Sequence, residues 1–393
     1  MSQPNYILNA IDGNWIVDRS EELVRIPSVT MHEEAVCAAY EGMLRDLGLN
    51  VDVREVTPGR NNLYARIAGS GDGRTLMLNG HLDTIPNQNN QPCFREGDLL
   101  FGRGTTDMKG GMAAILGVAK AIIETGTELQ GDLWLTAVVG HEEPEAEKDG
   151  PKALIEDINS GRTLCDRIMI VEGPDKLWVM SMGSMVFTIH LDQAGGGRHT
   201  NFVPFSENPI RHMSDLIQRI LEKQKELDSG EAHPLAGPER IDLGIVKAGD
   251  YFNRTPQRCA LTGTRRWTPG KTAESILDEL REITQPFADA GNLKLSVGME
   301  HQREPFETAA DDPLVKAAET AHKTVTGSEA EHIGMRIVGD ANLYVHGSGV
   351  PTIYYGPSNE TAHADIENVS ISRMESAAQV YALTAAHYCG LRE

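Results

Sequence analysis

Short apolar runs that alternate with amphipathic helices constrain the fold of this 393-residue chain more than any other feature. The runs are about five to seven residues long, as at 133–139 and 167–171, and helical patterns such as 33–47 and 111–124 stand between them. Runs of this kind predict strands that are buried on both faces. We therefore expect an α/β main domain with a mixed, mostly parallel sheet flanked by helices.

The pattern changes between residues 183 and 300. Strand, helix, strand, strand, helix and strand follow one another there, which is typical of a small α+β unit with one layer of helices. The α/β pattern then resumes, with helices predicted over 314–325 and 373–387. We expect a main domain formed by residues 1–182 and 301–393, with residues 183–300 inserted into it as a lid or dimerisation domain.

Composition and charge exclude several classes of protein. Lys and Arg number 36 and Asp and Glu number 57, so the formal net charge is −21, which repels nucleic acid and anionic membrane surfaces. No apolar stretch is long enough to span a membrane, and the first residues lack the pattern of a signal peptide. The five cysteines are scattered and never form a CxxC pair. These features predict a cytoplasmic protein with reduced thiols and no nucleic-acid or membrane partner.

Acidic and histidine side chains follow several predicted strands, where an open α/β sheet exposes its functional site. The set comprises His81, Asp83, Asp107, Glu142, Glu143 and Glu172. Each residue alone has an ordinary structural explanation, but five carboxylates at one sheet edge would repel one another strongly unless cations neutralised them. Imidazole and carboxylate donors without thiolate suit Zn²⁺, and Mn²⁺ or Co²⁺ are also compatible. The pattern therefore predicts one or two divalent ions in each subunit.

Five strings in this order, GHLDTIP, GRGTTDMKGG, GHEEPE, VEGPD and ETAHADIE, resemble the motifs of a known family. It is the two-metal aminoacylase, carboxypeptidase-G, acetylornithine deacetylase and succinyl-diaminopimelate desuccinylase family, peptidase family M20. The resemblance covers essentially the whole chain. It implies that Asp107 bridges two metal ions, that His81 and Glu172 complete the shell of one ion, and that Glu143 and His363 complete the shell of the other.

The same resemblance implies the catalytic roles. Glu142 would be the general base, and Asp83 would hold the His81 ring in place by a hydrogen bond. Two ions about 3.5–4 Å apart lower the pKa of a shared water and polarise the bond under attack, so a metal-bound hydroxide activated by Glu142 would act as the nucleophile. The implied reaction is hydrolysis of a C–N bond in a small substrate with a free carboxylate, such as an N-acyl amino acid or a dipeptide.

The inserted region adds a second set of residues through the resemblance. His199 corresponds to a lid histidine that donates to the tetrahedral oxyanion, often across a dimer interface. Asn253 and Arg266 correspond to residues that grip a substrate carboxylate, which an arginine can do with two hydrogen bonds. Asn342 stands where many members have an arginine, and Arg336 could serve instead. We also expect at least a homodimer that forms through the lid domain.

Two alternatives remain open from the residues. The departures from the family pattern, such as the Asn-rich segment 87–90, cluster around the predicted substrate contacts and spare the metal set. They would also suit an aminohydrolase that replaces an amino group on a small carboxylate substrate, aromatic substrates included, and release of ammonia would distinguish that reaction. The alternative of another class is an inactive metal-binding scaffold, although no predicted ligand is missing. A phosphoesterase has little support, because no basic cluster accompanies the acids.

Overall fold

The computed structural model describes residues 3–142 and 146–392 of the chain. The chain divides into two compact units. The first comprises Met1–Val179, Thr308–Ile333 and Leu343–Glu393, and the second comprises Met180–Glu307 and Gly334–Asn342. The first unit is therefore built from three separate stretches of sequence.

Helices and strands follow one another along both units, and in the first unit they alternate as the apolar pattern predicts. In chain order, the helices of the described residues are α1 (Gln3–Ala10), α2 (Gly13–Arg25), α3 (Glu34–Asp46), α4 (Gly110–Thr125), α5 (Asp149–Asn159), α6 (Pro209–Ser229), α7 (Ala273–Gly291), α8 (Pro313–Thr326), α9 (Asp340–Ser348) and α10 (Ile371–Cys389). The strands are β1 (Val51–Thr57), β2 (Arg60–Ile67), β3 (Leu76–His81), β4 (Phe94–Glu96), β5 (Leu99–Phe101), β6 (Leu133–Val138), β7 (Arg167–Ile170), β8 (Leu177–Ser181), β9 (Gly183–Gln193), β10 (Arg240–Ala248), β11 (Arg258–Trp267), β12 (Leu293–Arg303), β13 (Phe306–Glu307), β14 (His332–Met335), β15 (Thr352–Tyr354) and β16 (Asn368–Ser370).

The large sheet of the first unit has four parallel strands at its centre, in the order β6, β3, β7, β15. In this register Leu76 of β3 lies beside Leu133 of β6 and beside Arg167 of β7. Strands β2 and β1 continue the sheet antiparallel beyond β6, and β8 pairs antiparallel with β15. Helices α3, α4, α5 and α10 pack against these strands. The predicted α/β fold, with a mixed sheet flanked by helices, is confirmed.

Burial explains why the central elements form where they do. Every residue of β3 is buried, and so are twelve of the residues of α4, from Gly110 to Ile122. Both segments are mostly apolar on every side, so these elements are covered by neighbouring elements and occupy the middle of the unit. The irregular turn Thr105–Lys109, which leads into α4, is buried as well and contains a cis peptide between Asp107 and Met108.

The second unit is a four-stranded antiparallel sheet in the order β10, β11, β9, β12. Alternate residues of β9 and β11, such as Phe187 and Leu261, form one core with Leu216 of α6 and Ile276 and Leu280 of α7. A single layer of two helices therefore covers one face of the sheet. The predicted order of strand, helix, strand, strand, helix, strand is confirmed by β9, α6, β10, β11, α7 and β12.

The described part of the chain contains no helix that is both long and apolar enough to cross a membrane. All five cysteines lie in this part and are free thiols. Burial raises the pKa of each of them, to about 11 for Cys93 and Cys259. They are therefore poor nucleophiles at neutral pH.

Candidate metal centre

Neighbouring strands of the large sheet bring the predicted donors to one edge. Strands β6, β3 and β7 are parallel, so their carboxyl ends lie side by side, and His81, Glu142 and Glu172 stand at or just after these ends. Such an edge is where open α/β sheets bind ligands. The buried turn before α4 adds Asp107, and the segment after β15 adds His363.

Two groups of side chains there offer metal-ligating atoms that lie within 4.8 Å of one another. The first donor group is His81, His141 and Glu172, and the second donor group is Asp107, Glu142 and His363. The two groups adjoin through Asp107: its Oδ1 lies 3.0 Å from Nε2 of His81, and its Oδ2 lies 3.3 Å from Nε2 of His363. One carboxylate thus faces an imidazole of each group.

The His81 ring is buried and held in one orientation. Its Nδ1 lies 2.9 Å from the main-chain oxygen of Asp83 and 3.6 Å from the Asp83 carboxylate. Because a carbonyl oxygen can only accept, Nδ1–H donates to it and Nε2 is directed at Asp107. Histidines that bind metals are oriented in this way by a hydrogen bond from the opposite ring nitrogen.

The carboxylate of Asp83 holds the turn that follows β6. It is fully buried and accepts the main-chain N–H groups of His141 (3.0 Å) and Glu142 (2.9 Å), together with the hydroxyl of Thr30 (2.9 Å). The backbone of Asp83 therefore orients His81, and its side chain orients the turn that bears Glu142.

Electrostatics at the centre favour positive charge. Burial lowers the pKa of His81, but the hydrogen bond to Asp107 and the charge of Asp107 outweigh it and raise this pKa to about 10. Hydrogen bonds to Asp107 and Glu142 raise the pKa of His363 to about 10. Burial raises the pKa of Asp107, but hydrogen bonds from His363 and His81 hold it well below its usual value. The donor set is therefore chemically suited to cations, which stabilise adjacent carboxylates in the same way.

Two residues near the centre, His141 and Glu367, lie outside the predicted ligand set, and the sequence interpretation gave them only supporting or packing roles. The His141 ring stacks on that of His81, with centroids 3.9 Å apart and planes within 3°. Its signal in the sequence was its place beside the Glu pair at a strand end. The second residue is Glu367, whose buried carboxylate accepts N–H groups of Gly104, Thr106 and Asp107 at 3.0–3.1 Å and pairs with Arg103 at 2.6 Å. Glu367 therefore shapes the turn that carries Asp107.

The remaining predicted residues are distributed as follows. Glu143 lies outside the described residues. His199 and Asn253 come together in the second unit, where Asn253 Nδ2 lies 3.4 Å from His199 Nε2, and Thr200 N–H donates to the main-chain oxygen of Asn253 at 3.0 Å. Arg336 Nε donates to the main-chain oxygen of Ala236 at 2.9 Å.

Arg266 lies on the face of β11 opposite the core of the second unit. Neighbouring Arg265 and Trp267 are buried on the core side, whereas Arg266 is half-buried. Within the described part of the chain, its buried Nη1 has no hydrogen-bond partner. Burial lowers the pKa of this guanidinium. Within the described residues, the hydrogen bond of this Arg266 N–H group is therefore unsatisfied.

Comparisons with known proteins show which family and which fold this chain resembles. A family model described as "Peptidase family M20/M25/M40" matches residues 77–387. The chain is 25% identical over 410 aligned positions to N-formyl-4-amino-5-aminomethyl-2-methylpyrimidine deformylase of Bacillus subtilis. This alignment covers 91% of this chain and 92% of that protein. The chain is 26% identical over 391 positions to succinyl-diaminopimelate desuccinylase 2 of a Ruegeria species, with 95% of each chain covered. Its fold is similar to that of aminopeptidase PepT from Bacillus cereus, with a TM-score of 0.80, 16% identity, and 96% and 99% of the two chains covered.

Proposed function

Because this chain belongs to peptidase family M20/M25/M40, and is thus a metallo-hydrolase acting on amide bonds, we propose that it cleaves the amide bond of a small N-acylated substrate that carries a free carboxylate. The observation that carries the proposal is the pair of donor groups that adjoin through Asp107 at the edge of the sheet. Paired ions bound by imidazole and carboxylate are typical of enzymes that hydrolyse such bonds.

The two donor groups support a site for two divalent ions. We propose that His81 and Glu172 hold one ion, that His363 and Glu143 hold the other, and that Asp107 faces both. Zn²⁺ fits this donor set first, and Mn²⁺ or Co²⁺ also fit. When bound, the ions supply Lewis acidity, which polarises the substrate carbonyl and lowers the pKa of a water.

Glu142 would move the protons of the reaction. Its carboxylate lies in the second donor group, 3.0 Å from His363, where it can take a proton from a water and return it to the leaving amine. The Asp83 hydrogen bonds to residues 141 and 142 hold it in place for this transfer. We assign the base to Glu142, and the ligand to Glu143, because this is the order that the motif GHEEPE implies.

Substrate recognition would come from the second unit. The unpaired N–H of Arg266 supports a role in binding a carboxylate. Asn253 and His199, whose side chains adjoin, would contact the substrate carboxylate and the reacting carbonyl. The deformylase is named for removing a formyl group and the desuccinylase for removing a succinyl group, which supports an N-acyl substrate here and favours neither deamination nor an inactive scaffold.

The second unit would also form a homodimer. Strand β10 is an edge of its sheet, and all of its residues from Gly244 to Ala248 are exposed, including Ile245 and Val246. The nearby loop exposes Tyr251 and Phe252. An exposed apolar edge strand is a template for pairing with another chain, so a second copy of this chain is the expected partner.

A substrate screen on the metal-loaded enzyme tests the proposed function. N-formyl, N-acetyl and N-succinyl amino acids and dipeptides would be compared with the same compounds capped as carboxamides, with acid, amine and ammonia measured separately. We expect acid and amine from the uncapped series, loss of activity after chelation, and recovery with Zn²⁺, Mn²⁺ or Co²⁺. Activity that survives exhaustive chelation, or ammonia as the product, would contradict the proposal.

A further inference from the structure

We propose that Glu33 is a positioning residue for the turn that bears Glu142, an inference that rests on the function proposed above. Glu33 directly precedes helix α3, over 100 residues before the turn, and lies in none of the five motifs. Its carboxylate is fully buried. Burying a carboxylate is costly unless its hydrogen bonds are satisfied, so its partners indicate what it does.

Those partners are the turn and one arginine. Glu33 Oε1 accepts the main-chain N–H of Gly140 at 3.1 Å. Both oxygens of Glu33 also bind Arg60, Oε2 at 2.9 Å from Nε and Oε1 at 2.8 Å from Nη2. This bidentate pair fixes the direction of the carboxylate, so the oxygen that faces Gly140 cannot rotate away.

Glu33 completes a series of acceptors along the turn. Four consecutive main-chain N–H groups, from Val139 to Glu142, each meet a buried side-chain oxygen. The acceptors in order are Asn62 (3.1 Å), Glu33 (3.1 Å), and the two oxygens of Asp83 (3.0 and 2.9 Å). Such a turn has no strand or helix partner for these groups, so the side chains decide its path.

The backbone comes unusually close to the ion pair at this point. Gly140 has a φ of +64°, and a Cβ there would overlap Asp149 and lie 2.5 Å from Nη2 of Arg60. Arg60 also pairs with Asp149, at the start of α5. Glu33 and Arg60 therefore hold the beginning of segment 140–149, and Arg60 and Asp149 hold its end.

Glu33→Gln tests this role. In either orientation the amide NH₂ would face an N–H group of Arg60, so the bidentate pair that directs an oxygen at Gly140 would be lost. We expect kcat to fall by about 10- to 100-fold, the usual effect of losing a partner that orients a site, with KM and bound metal unchanged. Hydrogen exchange of the amides of residues 139–142, measured on the metal-free protein without substrate, should become faster.

Asp312→Asn is the matched control. Asp312 is also a buried acid that pairs with an arginine, Arg167 (2.8 Å), and accepts a main-chain N–H, that of Leu314 (2.8 Å), but it contacts the opposite end of β7 from Glu172. It should lower the unfolding temperature while leaving kcat and the exchange of residues 139–142 unchanged. If Glu33→Gln does not fold, Glu33→Asp keeps the charge for Arg60 and withdraws the oxygen from Gly140, so the same results are expected.

Two results would overturn the inference. One is unchanged exchange at residues 139–142 in the Glu33 variant, and the other is an equal fall of kcat in Asp312→Asn at an equal loss of stability. The exchange measurement needs no substrate, so it tests the role of Glu33 independently of activity. If the wild-type protein cleaved none of the screened amides, that result would contradict only the proposed function.

Discussion

Glu142 lies where a carboxylate can bind an ion or move a proton, because it shares the second donor group with Asp107 and His363. We expect Glu142→Gln to keep its bound metal and to lower kcat by about 10²–10⁴-fold, since an amide cannot accept the proton. Metal analysis and steady-state kinetics measure the two quantities.

Glu360→Gln is a suitable control for this variant, since Glu360 is exposed and pairs with Arg373 at the surface. It should leave kcat unchanged. If Glu142→Gln instead lost metal and regained its activity at saturating metal, Glu142 would be a ligand, and the base would have to be Glu143.

The unpaired N–H of Arg266 leads to a second prediction at the residue scale. We expect Arg266→Met to raise KM for substrates with a free carboxylate by about 10- to 100-fold, because a hydrogen bond to a charged group contributes about 1.5–3 kcal/mol. Arg258→Met, on the same strand but paired with Asp192 at the surface, should not change KM. An equal rise of KM for carboxamide-capped substrates in Arg266→Met would show that Arg266 does not bind the carboxylate.

At the scale of elements, the start of α4 determines how Asp107 is presented. Gly111 packs directly on the sheet, and a Cβ there would overlap the main-chain oxygen of Val171, just after β7. We expect Gly111→Ala to destabilise the protein by about 1–3 kcal/mol, because the overlap forces the helix outward. Denaturant unfolding measures the change.

Gly42→Ala is the counterpart in α3, where nothing lies within 4 Å of the added Cβ. It should stabilise the protein by about 0.5–1 kcal/mol, since alanine loses less backbone entropy in a helix. If both glycine variants changed stability equally, close packing at Gly111 would not be the cause.

The elements themselves were predicted well where their patterns are long. The helix expected over 314–325 is observed as α8, Pro313–Thr326, which begins after Asp312 because the Asp312 side chain caps it by accepting the N–H of Leu314. Helix α2 was not predicted, although its signals are present: Asp12 caps it, and Ile16 and Leu23 are buried on one face. Three-residue strands such as β5 and β16 were missed because so few residues show no periodicity.

For the whole molecule, a net charge of −21 and an acidic centre make bound cations stabilising. A ligand that binds only the folded state at 100 times its Kd contributes about 2.7 kcal/mol. We expect Zn²⁺ or Mn²⁺ to raise the unfolding temperature of the chelated protein. Ca²⁺ should raise it less, because it prefers oxygen ligands. Asp107→Asn should lose most of the Zn²⁺ effect, and an equal rise in this variant would place the binding elsewhere.

The proposed homodimer also belongs to this scale. We expect Val246→Lys, on the exposed edge strand β10, to convert the dimer to a monomer, because the new charge would be buried in the interface. Leu221→Lys changes a comparably exposed apolar residue on α6 and should leave the dimer intact. Sedimentation velocity distinguishes the two, and a wild-type monomer would contradict the proposed dimer.

The sequence by itself determined the class of fold, the order of the major elements and the chemical type of the donors. These properties depend on local periodicity and on side-chain chemistry, which can be read within a few residues. The motif resemblance added roles for Glu142 and the ligands, which the comparisons support only as far as the family and its amide chemistry.

Only the tertiary structure decided how the donors meet. One oxygen of Asp107 faces His81 and the other faces His363, and the His141 ring stacks on that of His81. Glu33 and Glu367 each hold a turn of the site. All of these contacts follow from the order of the strands and from the reversals of the chain. These contacts join residues that are distant in the sequence, 260 positions apart for Glu367 and Asp107. No local pattern encodes them, because a buried acceptor becomes recognisable only when the N–H group that it satisfies is folded against it.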